Sequence, residues 1–184
     1  MGTSRREQIL DRAAELFADR GFHGVSVHDI GAACGISGPA LYRHFASKDA
    51  MLAEMLVSIS ERLLSEARRR VETAVDDEAA LRELVRWHTD FALTHKDLIV
   101  VQDRDWGALP GSARERVRAL QRAYVGLWVA ALRRVRGEVG PRAGEAAAHA
   151  VFGLLNSTPH SARLGPERMR SMLESMAWDA LHAV

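Results

Sequence analysis

Residues 26–48, Ser-Val-His-Asp-Ile-Gly-Ala-Ala-Cys-Gly-Ile-Ser-Gly-Pro-Ala-Leu-Tyr-Arg-His-Phe-Ala-Ser-Lys, carry helix stops and starts so closely spaced that only short helices fit between them. Ser26 is an N-cap residue, and Asp29 three positions on makes an imperfect capping box. Gly35 is the turn residue. Ser37 caps the next helix, whose first turn tolerates Pro39 because amides there have no intrahelical partner. Ser47 caps a further helix, with Asp49 favourable in its first turn. Ile30, Ala33, Ile36, Leu41 and Phe45 read as core positions that lock the short helices together. Gly38, Pro39, Ala40, Tyr42, Arg43 and His44 are then left facing out. Two short helices joined by a tight glycine turn form a helix-turn-helix, whose second helix fits a DNA major groove.

Helix, turn and loop account for the rest of the chain, with no alternating strand pattern and no internal repeat. Ile9, Leu10, Ala13, Leu16 and Phe17 form an apolar stripe at helical spacing. Gly21 is expected to end that helix as a left-handed cap, with Phe22 folding back on its last turn. Longer helices are expected near 48–75, 78–95, 97–106, 111–137, 142–157 and 166–182, separated by Asp, Gly and Pro breaks. The fold class is therefore all-α. An N-terminal three-helix helix-turn-helix domain (1–47) precedes a larger helical domain (48–184) for ligand binding and dimerisation.

Composition excludes more than it proposes. The net charge is +1, and Arg5, Arg6, Arg12, Arg20, Arg43 and Lys48 are balanced by nearby Asp and Glu. DNA binding must come from where charges sit rather than from their sum. Cys34 is the only cysteine, so no internal disulfide forms, and a reducing cytoplasm fits. No run of residues approaches a membrane span, and the charged start argues against a signal peptide. Nucleophile elbow, nucleotide loop and His-Glu-x-x-His motifs are all lacking, so no catalytic residue and no cofactor is assigned. His88 and His95 lie seven apart without the tight ligand spacing of a metal site, and no metal is assigned.

The outward face combines rim donors (Ser26, Tyr42, His44 and Lys48) with small residues, Gly38 and Ala40, that permit close approach to base edges. Residues 5–52 resemble the N-terminal DNA-binding domain of the TetR family of bacterial regulators. The stretches that carry the likeness are Gly-Phe-His-Gly-Val-Ser-Val-His-Asp-Ile, Cys-Gly-Ile-Ser and Ala-Leu-Tyr-Arg-His-Phe-Ala-Ser-Lys-Asp. The resemblance implies a homodimeric repressor that binds a palindromic operator and is released by a small molecule. It places Ser26, Tyr42, His44 and Lys48 on phosphates and His28, Gly38, Pro39, Ala40 and Arg43 near base edges, with Ser37 capping the reading helix on the same face. Arg43 is the expected base discriminator. Gly31 and Cys34 depart from the usual alanines, and Gly31 is expected to cost its helix ~1 kcal/mol relative to alanine.

In the second half, Trp87, His88, Phe91, His95, Trp106, Tyr124, Trp128, Phe152 and Asn156 supply the bulk and the few polar groups of an effector pocket. Aromatic residues at helical spacing equally suit a plain core. The dimer face is expected on Ala146, His149, Ala150 and Gly153 of one helix and Met169, Met172, Leu173 and Met176 of another. The layout is similar to members of the family that sense acyl-CoA thioesters, which implies a small hydrophobic effector. An opening lined by Arg133, Arg134 or Arg136 would help to hold the CoA phosphates. A ligand-independent or metal-responsive DNA binder is the alternative. The operator, the regulated genes and the effector are not readable from the residues.

Overall fold

The computed structural model describes residues 4–183. Its helices are α1 (Arg5–Arg20), α2 (Val27–Cys34), α3 (Gly38–Tyr42), α4 (Lys48–Thr73), α5 (Asp77–Thr94), α6 (Lys96–Asp105), α7 (Gly111–Val135), α8 (Pro141–Leu155), α9 (Thr158–Ser161) and α10 (Pro166–His182). A 3₁₀ turn covers Trp106–Ala108, and no strand occurs among the described residues. Most boundaries fall within two residues of expectation. Helix α9 lies in a stretch expected to be a break, and Pro159 is accommodated in its first turn.

Two compact units emerge. The first is Met1–Ile59 with Asp97–Val117; the second is Ser60–Lys96 with Arg118–Val184. This division differs from the expected boundary between 47 and 48. Val101, Leu109 and Val117 are buried in the same cluster as Ile9, Phe17, Ile30, Leu41, Phe45 and Leu52, so α6 and the start of α7 help to build the first unit's core. Arg104 adds a hydrogen bond to the Phe17 carbonyl, which also accepts from the Gly21 amide at 2.8 Å at the end of α1.

Within the first unit, caps decide where helices begin. Ser4 caps α1 and Ser26 caps α2, each in a complete capping box with Glu7 and Asp29 respectively. Phe22 packs edge-on to Phe17 with ring centroids 5.2 Å apart. Two of the sequence expectations are corrected. Ala33 is exposed, and α2 buries Ile30 and Gly31 instead. Gly31 is also more than a propensity cost, since a Cβ there would lie 2.8 Å from the Ile36 carbonyl oxygen. Glycine lets the turn close, with the Ile36 amide donating to the Gly31 carbonyl at 2.9 Å.

The second unit is built on α5, α8 and α10. Helix α10 packs on both α5 and α8, and α5 packs on α8. Small residues give α8 two usable faces. Gly144, Ala147, Ala148, Val151 and Leu155 are buried, and a Cβ on Gly144 would meet Val129 Cγ1 at 3.1 Å. Ala146, His149, Ala150 and Gly153 are exposed. Trp87 Nε1 donates to the Leu63 carbonyl at 3.1 Å and ties α5 to the later part of α4.

The two turns that flank α2 demand glycine for different reasons. Gly35 is left-handed (φ 65°, ψ 32°), a conformation that asparagine also adopts. Gly21 was expected to be left-handed too, but sits at φ 79°, ψ 152°, a region that is essentially glycine-only. Gly35→Ala is expected to cost about 1 kcal/mol and Gly21→Ala about 2–3 kcal/mol. Urea denaturation of both variants checks the order, and equal losses would contradict this reading of the caps.

Candidate nucleic-acid interface and ligand site

Helix α3 is only five residues long, so its position depends on what grips it. Leu41 anchors it in the core, 2% exposed, and the Ser37 hydroxyl accepts from the Ala40 amide at 3.4 Å. Arg6 holds the far end. Its guanidinium pairs with Glu54, donates to the His44 carbonyl and lies 4.1 Å from the Phe45 ring centroid. Lys48 Nζ donates to the carbonyls of Phe22 and Val25, each at 2.7 Å, and sits 4.3 Å from the Phe22 ring centroid.

These contacts sort the expected DNA-facing residues. His28, Ser37, Pro39, Tyr42 and Arg43 are exposed, while Gly38, Ala40 and His44 are half-buried. A Cβ on Gly38 would meet nothing within 4 Å, so a base edge can approach that backbone closely. Arg43 has no carboxylate partner among the described residues, whereas Arg6, Arg12 and Arg20 pair with Glu54, Glu15 and Asp19. Two expected phosphate donors are committed elsewhere. The Ser26 hydroxyl donates to Asp29 Oδ2 at 2.5 Å while accepting from the Asp29 amide. Lys48 spends two of its three N–H donors on carbonyls. Both thus have structural partners, and Lys48 keeps one N–H donor beyond them.

In the second unit, His88, Phe91, Tyr124, Trp128, Phe152 and Asn156 come together. His88 is 4% exposed, and both of its ring nitrogens are used. Nε2–H donates to Asn156 Oδ1 at 3.1 Å, and Nδ1 accepts from the Tyr124 hydroxyl at 3.1 Å. Asn156 Oδ1 can only accept, so Nε2 carries a proton, and in the neutral ring that burial favours Nδ1 is the acceptor from the Tyr124 hydroxyl. Burial pulls the His88 pKa down to about 4, against a smaller opposing effect of the Asn156 hydrogen bond. Burial also pushes the Tyr124 phenol up. The cluster therefore presents uncharged groups at neutral pH.

Three of the nine expected pocket residues stand outside this cluster. Trp87 faces the Leu63 carbonyl and lies 5.2 Å from the Arg70 guanidinium. Trp106 packs against the core of the first unit. His95 caps the end of α5, stacks on Phe91 and bonds the Thr94 hydroxyl at 2.7 Å. The arginines considered for CoA phosphates are also engaged. Arg133 donates to the Val139 carbonyl, Arg134 pairs with Asp77, and Arg136 holds Glu138 and the His182 carbonyl. Of the expected dimer residues, Met169 and Leu173 are core, 1% and 2% exposed, whereas Met172 and Met176 are 40% and 46% exposed. A helix repeats every 3.6 residues, so 169 and 173 turn inward together while 172 and 176 turn outward.

Comparison with known proteins agrees with both halves. A family described as bacterial regulatory proteins, tetR family, matches residues 9–55. A second, described as tetracyclin repressor-like, C-terminal domain, matches residues 74–160. The chain belongs to the TetR family. Among relatives of this TetR-family chain, the HTH-type transcriptional repressor KstR2 of Rhodococcus jostii (strain RHA1) is 36% identical over 102 residues. That match covers 55% of this chain and 50% of the relative, so the chain spans about half the length of that protein. A TetR-family transcriptional regulator from Bordetella parapertussis 12822 superposes with TM-score 0.83 at 27% identity, over 95% of this chain and 94% of that one. The crystal structure of AibR in complex with isovaleryl coenzyme A and operator DNA superposes with TM-score 0.75 at 23% identity, over 94% of this chain and 97% of that one.

Sequence reasoning missed Arg6 and Arg104, both of which act through backbone carbonyls. Such acceptors leave no mark in a residue pattern. Among the described residues no group of three His, Cys, Asp or Glu side chains gathers to hold a metal, and no helix is long and apolar enough to cross a membrane.

The buried imidazole has a pH signature. Its unfolded pKa is about 6.5, and its folded pKa is about 4. The unfolded chain therefore binds more protons in between, and stability present above pH 6.5 is lost as the pH falls toward 4. From pH 7 to pH 5 this group alone is expected to remove about 2 kcal/mol. Urea denaturation at both pH values, for the protein and for His88→Gln, checks it. An identical pH dependence in the variant would contradict a buried, neutral His88.

Proposed function

We propose that this chain is a transcriptional regulator that reads operator DNA with the exposed face of α3. The observation that carries this reading is the division of labour around that helix. Arg6 holds the segment that ends α3, and Lys48 and the Ser26–Asp29 box hold the start of α2, while Arg43, Tyr42, His28 and Ser37 are left exposed beside the open backbone at Gly38. Holding groups fix the register, and free donors meet base edges and phosphates.

The chain acts as a homodimer on a palindromic site, since two reading helices must sit one helical turn or a multiple apart. The exposed stripe of Ala146, His149, Ala150 and Gly153 on α8 and the exposed Met172 and Met176 on α10 form the dimer face. The regulator is a cytoplasmic repressor released by a small hydrophobic effector. The solved complex of AibR with isovaleryl coenzyme A and operator DNA supports an acyl thioester. The effector works by population shift, binding better to a dimer whose reading heads are off the operator spacing. A ligand-independent regulator is the second reading, favoured by how closely Tyr124, Trp128 and Phe152 pack on one another.

Selection of a binding site from random duplexes at fixed salt is expected to yield an inverted repeat bound by two chains. Isovaleryl coenzyme A is expected to weaken that binding. Failure to enrich any repeat would contradict DNA reading, and binding unmoved by the thioester would favour the second reading. On the selected duplex, Arg43→Ala is expected to relax the preference at one position per half-site, by about 1–3 kcal/mol. Ser26→Ala is expected to cost about 1 kcal/mol of fold stability while leaving the salt dependence of binding unchanged. A shallower salt dependence in Ser26→Ala would restore its role as a phosphate contact.

A further inference from the structure

The aromatic cluster of the second unit contains one ring that differs from its neighbours. His88, Tyr124 and Trp128 are buried, whereas Phe152 enters from a half-buried position on α8, next to the exposed Gly153. Its ring stacks on His88 (centroids 4.8 Å apart, planes at 11°) and on Tyr124 (5.5 Å, 27°). It meets Trp128 edge-on (5.0 Å, 85°).

The surfaces it touches have supports of their own. The His88 ring is held through both nitrogens by Tyr124 and Asn156. Trp128 stands edge-on to His88 at 6.0 Å and to Tyr124 at 6.2 Å. Two rings make a platform and a third makes a wall, and the Phe152 ring fills the angle between them. The platform's hydrogen-bonding groups are paired with one another and with Asn156, while the buried Nε1–H of the Trp128 wall has no partner among the described residues. The slot therefore offers π faces and a neutral N–H donor but no charge, so an ionised group placed there would lose its water with little compensation.

We propose that Phe152 occupies a ring subsite of the effector: the slot bounded by His88, Tyr124 and Trp128 takes a flat, uncharged ring, and Phe152 swings out when that ring enters. This rests on the sensor reading above and adds that an acyl group carrying a planar ring is preferred over a branched one such as isovaleryl. The exchange replaces one stacked ring by another, so little packing is lost, and it needs only a rotamer change at a half-buried position. While Phe152 sits in the slot, the binding-competent state is a fraction of the population, and apparent affinity falls by that fraction.

The test uses the full chain with indole as the planar probe and isopentanol as a branched, non-planar one, followed by titration calorimetry. Phe152→Ala is expected to bind indole about tenfold tighter than the unaltered protein, with a smaller gain for isopentanol. Phe152→Leu, which keeps apolar bulk, is expected to fall between the two, and it carries the test should the alanine variant fail to fold. In the unaltered protein, nuclear Overhauser contacts from indole to the rings of His88 and Trp128 are expected. No gain in either variant, an equal gain for both probes, or contacts confined to other rings would overturn the proposal. If isovaleryl coenzyme A releases operator DNA while indole shows none of these effects, the ring slot falls and the sensor stands. If indole behaves as expected and the ring-bearing thioester benzoyl coenzyme A leaves operator binding unchanged, the slot stands and the sensor falls.

Discussion

A five-residue helix has almost no hydrogen bonds of its own, and helix formation is unfavourable until several turns exist. Helix α3 therefore persists only because other residues hold it. Leu41 buries its side chain in a core shared with α1, α2 and α4. Arg6 closes on the His44 carbonyl and on Glu54, and Lys48 closes on the carbonyls that precede α2. These two cations act as cross-links between backbone segments distant in sequence. Both also cover an aromatic ring, Phe45 for Arg6 and Phe22 for Lys48, so each contributes packing as well as hydrogen bonding.

Hydrogen bonding also sets the positions of His88 and Thr158 in the second unit, although Thr89 Oγ1 and Trp128 Nε1 are buried there without a partner among the described residues. A histidine taken out of water is costly unless its nitrogens are satisfied. His88 meets that condition with one donor and one acceptor contact, which fixes its tautomer and its ring plane. Thr158 does likewise by donating to the Ala92 carbonyl. His88, Tyr124 and Asn156 are thereby tied together by hydrogen bonds, whereas Phe152 is held by ring contacts alone.

Helix starts were legible because Ser26, Ser37 and Ser47 act locally, through amides three residues away. The helix-turn-helix was legible for the same reason, as was the grouping of His88, Tyr124, Trp128, Phe152 and Asn156 into one region. Residues that act across the chain were not. Lys48 and Ser26 carry the chemistry of phosphate donors, and only their distances to carbonyls and to Asp29 reveal another use. Trp87 and Trp128 look alike in a helical pattern, yet one ties α5 to α4 and the other walls the cluster. The boundary between units was hidden because α6 joins the first unit through Val101 and Arg104, a long-range packing choice that no local signal encodes.

The central claim is that residues 37–44 form a held reading face that DNA contacts. Hydrogen-exchange mass spectrometry of the chain, alone and bound to its selected duplex, tests it most directly. The account expects new protection concentrated in residues 26–48, strongest from Ser37 to His44. Protection that leaves this segment untouched and appears only in other helices would contradict it.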